Sequence, residues 1–298
     1  MAEPAEDIAD ITPDLGEEAE AAPSNSAQET ESKGGGSSAN LAKRNAFSEL
    51  MAPKPKVQKS DATSSKLQAA KSAVTRALGP RSGLLAYINN PERYPPNIVL
   101  RANANTVLIK DMYPKATVHL LLLPRSPAHY GLHPHEAFED PEFLAMMKEE
   151  AAVGAQLAAA ELQRLLASTS ATTKARYAAM EADYAPDEIP PARDFSGDIR
   201  VGIHAHPSME HLHVHIMSRD MHSEKLRHRK HYNSFNTPFF VPLADYPLAP
   251  DDERRKTSYQ NANLKKDFIC WRCGNNFGDR FPKLKSHLEA EFQAWSRE

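Results

Sequence analysis

Only two cysteines occur in 298 residues, Cys270 and Cys273, spaced C-x-x-C. One close pair cannot make the disulfide framework of a secreted domain, so a reducing compartment is expected. No Lys or Arg precedes Lys33, and a secretory signal needs a basic start followed by an apolar stretch. Long apolar runs are also missing. The longest, around Val118 to Leu123, is far too short to span a bilayer. These absences predict a soluble intracellular protein. The formal net charge of -3 averages an acidic beginning with basic clusters at Arg227 to His231 and Arg254 to Lys256, so it does not exclude a polyanionic partner.

Residues 1–75 are rich in Ala, Glu, Ser, Lys and Pro. They cannot bury enough apolar area to offset the entropy of ordering and are expected to be disordered. Within them, Lys43-Arg44 and Lys54-Pro55-Lys56 fit either an import signal or a solvated linker. Order is expected from Leu84, with a short helix stopped at Asn89-Asn90-Pro91 and a hairpin over Asn97 to Ile109 around Asn103-Ala104-Asn105. The unbroken apolar stretch Thr117 to Leu123 suits a central strand. From Pro141 to about Ala167, Ala, Leu, Met and Glu recur at helical spacing without internal proline, which predicts one long helix. Residues 168–197 read as a flexible surface insertion. Ile199 to His204 and His211 to Ser218 read as strands. The expected domains are 76–245 for the catalytic unit and 246–298 for a basic linker and a second compact unit.

The chemistry concentrates in His211-Leu212-His213-Val214-His215-Ile216. Alternation on a strand puts three imidazoles on one face and the apolar residues on the other. Neutral imidazole is a competent nucleophile toward phosphorus, and imidazolium is an acid and an anion binder. A zinc site and inert edge-strand histidines satisfy the same spacing, so the pattern alone leaves all three open.

The wider context resembles the histidine-triad superfamily. H-L-H-V-H-I-M is similar to its triad motif, and Asp111-Met112-Tyr113-Pro114-Lys115-Ala116-Thr117-Val118-His119 resembles its D-x-x-P-x-A-x-x-H signature. Tyr113 to Ala116, Gly202-Ile203-His204, Pro207-Ser208-Met209 and Lys230 to Thr237 look like the aprataxin family of DNA 5′-adenylate hydrolases. The resemblance runs from about Leu84 to the C-terminus and includes no forkhead-associated domain. It implies an α+β histidine-triad fold, an antiparallel sheet with a long helix, followed by a small ββα-like finger.

It also implies roles. His213 is the nucleophile that takes AMP from a DNA 5′-phosphate, with His211 and His215 orienting it and donating to phosphate oxygens. His204 stands near the leaving group. Asp111 holds the ribose hydroxyls, Lys115 lines the nucleotide pocket with Met209 beside it, and Ser208 donates to phosphate. Lys230 clamps the DNA backbone. His119 supports the pocket wall. A pyrophosphate's leaving group is good enough that cationic rings suffice without a catalytic metal.

Phe268-Ile269-Cys270-Trp271-Arg272-Cys273 opens like a zinc finger, with Phe277 and Leu284 at core positions and His287 following. Where a second histidine is usual there is Glu291. At i and i+4 the two side chains share a helix face, so Cys270, Cys273, His287 and Glu291 can complete a tetrahedral structural zinc site. Arg272, Arg280, Lys283 and Lys285 offer sequence-independent phosphate contacts. The expected partner is adenylated DNA at nicks, breaks or RNA–DNA junctions, in the nucleus, with no membrane. A hydrolase of small nucleotide conjugates and a non-catalytic finger adaptor are the rival readings.

Overall fold

The sequence's alternating and fully apolar segments become one sheet. In the computed structural model, residues 80–182 and 188–298 are described; the expected disorder of 1–75 and its two basic clusters lie outside them. The strands are β1 (Val99–Ala102), β2 (Thr106–Lys110), β3 (His119–Pro124), β4 (Ile199–His204), β5 (Val214–Ser218) and β6 (Phe240–Pro242). All pairs are antiparallel, in the order β1-β2-β3-β5-β4-β6. β3 is buried along its whole length, as its unbroken apolar run requires of a strand covered on both faces.

A short helix α1 (Leu85–Asn89) and a four-residue turn of helix α2 (Pro134–Ala137) precede the long helix α3 (Pro141–Leu166). Asp140 caps α3 by accepting from the Glu142 and Phe143 amides, a contact worth roughly 1 kcal/mol. Phe143, Met147, Ala151, Ala158 and Leu162 point inward at four- and seven-residue spacing and pack with Leu120, Leu122, Val214 and Ile216 of the sheet. Each fully buried large apolar side chain stabilises by about 1.5–3 kcal/mol.

Three expectations change. The insertion at 168–197 is anchored at both ends. It holds a helix α4 (Ala171–Glu181) capped by the buried Ser170, the Ala171 amide donates to Arg297 O at 2.8 Å, and Phe195 is buried in the main core. Second, strand pairing reaches only Val214, not His211. The loop after Pro124 takes over the partnership, with the Leu212 amide donating to Tyr130 O at 2.7 Å.

Third, the C-terminal segment is not a separate compact unit, because residues 78–298 form one. Helices α5 (Arg229–Asn236), α6 (Thr257–Leu264) and α7 (Phe281–Trp295) carry the chain there. Phe268, Cys270, Leu284 and Leu288 of the finger share a cluster with Met217, Tyr232, Phe235 and Phe240. The expected ββ hairpin is reduced to one bridge, Ile269 to Asn276. Gly274, at φ 74°, closes the C-x-x-C knuckle in a left-handed conformation that a side chain would resist. Its amide donates to Cys270 O.

Candidate functional site

β5 and its lead-in bring His213 and His215 against His119 on β3 and His204 at the end of β4. Ring centroids lie 4.8 Å apart for His213–His215, 4.6 Å for His204–His215 and 5.2 Å for His119–His215. Phe235, Phe239 and Phe240 wall this chamber beside His204. Gly202 lets that wall close, since a Cβ there would meet Val241 O at 2.5 Å and the Phe240 ring at 2.7 Å.

The hydrogen bonds assign the ring nitrogens. His213 Nδ1 lies 2.8 Å from its neighbour's carbonyl, His211 O. It must donate there, which leaves Nε2 with its lone pair. The Lys115 amide donates to His119 Nδ1 at 3.1 Å. His119 Nε2 therefore carries the proton and donates to His215 Nδ1 at 3.0 Å, so the His215 proton sits on Nε2. Asp111 stands behind this chain, its Oδ2 3.4 Å from His119 Nδ1 and its Oδ1 accepting from the Tyr113 amide.

His204 Nε2, His211 Nδ1 and His215 Nε2 are buried and have no partner. Such atoms are costly unless a ligand satisfies them. Burial, the first cause in each case, lowers the pKa of His213 and holds His204 and His215 well below the ordinary histidine value; His119 falls to about 4. Burial thus favours the neutral form of these imidazoles. Burial likewise lowers Lys115, whose Nζ bonds Tyr113 O at 2.7 Å.

The other expected site residues are more dispersed. The His211 ring lies beside Tyr130, 5.4 Å away. Arg81 Nε donates to Ser208 O, and the Glu210 amide donates to Arg81 O. Met209 packs against the cluster of Leu84, Tyr87 and Ile88. The α1 residues Tyr87 and Ile88 thus serve packing, and Arg81 before them braces the loop that leads to the triad. Lys230 lies exposed on the first turn of α5, and Lys283 is exposed on the first turn of α7. Arg272, expected on DNA, is already engaged with Glu291 at 2.5 Å and with Glu298.

One contributor, Asp220, escaped the sequence reading, and His119, expected to support the pocket wall, has a larger part. His119 links Asp111 to His215 and does more than line a wall; its place in D-x-x-P-x-A-x-x-H was the available signal. Asp220, fully buried, accepts from the Thr117 amide and hydroxyl, the Ser218 hydroxyl and the His222 amide. It pins the turn that leads into His119, and no local pattern announced it.

Ligand atoms of Cys270, Cys273, His287 and Glu291 all lie within 4.8 Å of one another. Cys273 Sγ is 3.1 Å from His287 Nε2, which is 3.1 Å from Glu291 Oε1. Two thiols, one imidazole and one carboxylate converging this closely fit a tetrahedral structural zinc. Asp111, His119 and His215 also converge, but both His119 nitrogens are already taken by the Lys115 amide and His215.

Comparison with known proteins agrees with this geometry. The HIT domain profile matches residues 93–222, and that of the C2HE / C2H2 / C2HC zinc-binding finger matches 236–294. The aprataxin-like protein of Schizosaccharomyces pombe is 34% identical over 72% of this chain and 82% of its own length. That of Saccharomyces cerevisiae is 33% identical over 72% and 96%. Among solved structures, the aprataxin ortholog Hnt3 in complex with DNA superposes with a TM-score of 0.57 at 32% identity, covering 72% of this chain and 96% of that one. With the triad, the finger and this identity across most of two relatives, the chain belongs to the aprataxin-like family of HIT-domain proteins.

Proposed function

We propose that the protein removes AMP from adenylated DNA 5′ ends through a covalent adenylyl-histidine on His213, leaving a 5′-phosphate. It is a DNA-repair hydrolase of the HIT type. The observation that carries it is the His213 Nδ1 bond to His211 O, which presents Nε2 as a nucleophile among unpartnered histidine nitrogens.

Nε2 of His213 attacks the AMP phosphorus in line, and the P–O bond to the DNA phosphate breaks. His215 Nε2–H and His204 hydrogen-bond to the phosphate oxygens and the departing group, while His211 steadies the nucleophile. Water then cleaves the P–N bond, releasing AMP and restoring His213. Anionic substrate raises the depressed histidine pKa values on entry, because an adjacent negative charge favours the protonated ring. Asp111, Lys115, Ser208 and Met209 receive the nucleoside and phosphate. Lys230, Lys283 and Arg272 contact the DNA backbone, with Arg272 exchanging a carboxylate for a phosphate.

Zinc on Cys270, Cys273, His287 and Glu291 is structural, cross-linking knuckle to helix, and the chemistry itself runs on histidines alone. The substrate places the protein in the nucleus. A nicked duplex with a 5′-AMP cap, incubated with wild type and His213→Ala, tests the reading. Release of AMP and a 5′-phosphate by wild type alone is expected. Turnover of small AMP conjugates with none on DNA would replace it with a small-nucleotide hydrolase.

A further inference from the structure

A cavity of about 730 Å³ lies beyond the Phe240 wall, lined by residues of β4, α5 and the finger, including Arg200, Phe240, Arg219 and Trp271. That volume falls in the usual range for small-ligand sites. Arg200 is four residues before His204 on β4, so the two share a face of the sheet, about 13 Å apart along the strand. Phe240 separates them, its ring centroid 6.3 Å from that of His204 and 4.8 Å from the Arg200 guanidinium carbon.

The cavity lining carries three arginines, Arg200, Arg219 and Arg254, against two carboxylates, Asp252 and Glu253. Among the described residues, Arg200 bonds neutral groups, Asn236 Oδ1 and Phe235 O. Burial and then Arg219 hold its pKa down to about 10, so it stays charged at neutral pH while repelled by its neighbour. Arg219 stacks on Trp271 at 4.9 Å, and its one acidic partner among the described residues, Asp198 at 3.9 Å, is shared with Arg193 at 3.5 Å. Of the other charged groups lining the cavity, Arg254 and Asp252 are paired with each other, Arg254 also with Asp245, and Glu253 is exposed. Two guanidiniums held against aromatic rings, with donor edges left over, match the geometry by which arginine grips a phosphate.

We propose that this cavity is a second phosphate-binding site, in which Arg200 and Arg219 together hold one phosphate group of a nucleic-acid strand or of a free nucleoside monophosphate. It concerns binding and not turnover, so it stands apart from the hydrolysis of capped ends. Arg219 is the residue to change, since 42% of its side chain is exposed and its removal leaves Asp198 paired with Arg193.

The test uses the full zinc-loaded chain, wild type and Arg219→Gln, with matching melting curves as the check on folding. An uncapped nicked duplex is titrated between 50 and 200 mM salt as set by the range where such slopes are read, and AMP is titrated by calorimetry. A DNA phosphate in the cavity makes the variant's log–log salt slope shallower by about 0.9 while AMP stoichiometry is unchanged. A free nucleotide there removes one AMP equivalent from the wild-type stoichiometry and leaves the slope alone. Either result supports a phosphate site and names its source; identical slopes and identical AMP stoichiometry in the two proteins overturn it. Loss of turnover on capped DNA, with these binding differences intact, would count against the proposed reaction and not against this site.

Discussion

His119 Nε2 lies 3.0 Å from His215 Nδ1, and that contact decides which nitrogen of His215 faces the chamber. The Lys115 amide fixes the His119 tautomer from the other side. A ring on β3 thereby sets the protonation of a ring on β5 without itself reaching into the open part of the site. His119 is a positioning residue.

Replacing His119 with Leu removes the donor and frees His215 to adopt the wrong tautomer. The expected outcome is a fall in kcat on adenylated nicked DNA of roughly 10²-fold, at the low end of what one positioned proton donor supplies. KM should rise as well, because the Lys115 amide loses its acceptor and Asp111 its neighbour. Steady-state kinetics across pH checks it. An unchanged kcat and an unchanged pH profile would show that His215 keeps its tautomer unaided.

The buried histidines also make stability depend on pH. Their folded pKa values are depressed, to about 4 for His119 and about 3 for His135, while the unfolded chain titrates near the ordinary value of about 6.5. Above that value both states are neutral and the stability is fully present. As pH falls below it, the unfolded state takes up protons first and stability is lost, by about 1.4 kcal/mol per pH unit for each such histidine. Melting temperature should therefore drop between pH 7 and 5, and His119→Leu should flatten that dependence. A steeper slope in the variant would contradict the assignment.

How much of this was legible beforehand follows from where the forces are local. Period-two alternation and the helical spacing of Phe143 to Leu162 depend on neighbours in sequence, and they emerged in place over Val214 to Ile216 and along α3. The convergence of Cys270, Cys273, His287 and Glu291 was legible because a knuckle and one helix turn bring them together. The end of the triad strand was not, because Tyr130 takes the Leu212 amide across a separation of 82 residues in the chain. Nor was the shared core, since Phe268 meets Tyr232 only through tertiary packing. Long-range partners such as Asp220 with Thr117 leave no periodic trace.

Tyr232 is the polar bolt in that shared core. Its hydroxyl donates to Ile269 O at 2.8 Å and accepts from the Trp271 amide at 3.1 Å. Tyr232→Phe keeps the ring and strands a part-buried carbonyl and amide, which costs about 1 kcal/mol. Denaturant unfolding should report this as a lower midpoint with an unchanged slope. A loss below a few tenths of a kcal/mol would mean that water or a shifted backbone replaces both bonds.

Zinc removal gives the sharpest contrast between a finger that only grips DNA and one that also builds the site. The knuckle's Trp271 donates through Nε1 to Asp220 O at 3.1 Å, and Asp220 holds the Thr117 turn before His119. His222 stacks on Phe292 of α7 and bonds Glu289. Structural zinc contributes on the order of 10 kcal/mol to ordering such a unit, so a chelator should lower the melting temperature and loosen the Asp220 turn. Hydrolysis of a small AMP conjugate, which needs no DNA grip, should then fall together with hydrolysis of adenylated DNA. Glu291→Ala should show the same effects at a lower chelator concentration, with weaker zinc retention measured by atomic absorption. If chelation abolished DNA processing but left the small conjugate's turnover untouched, the finger would be a DNA grip alone, and the path from Trp271 through Asp220 to His119 would carry no catalytic consequence.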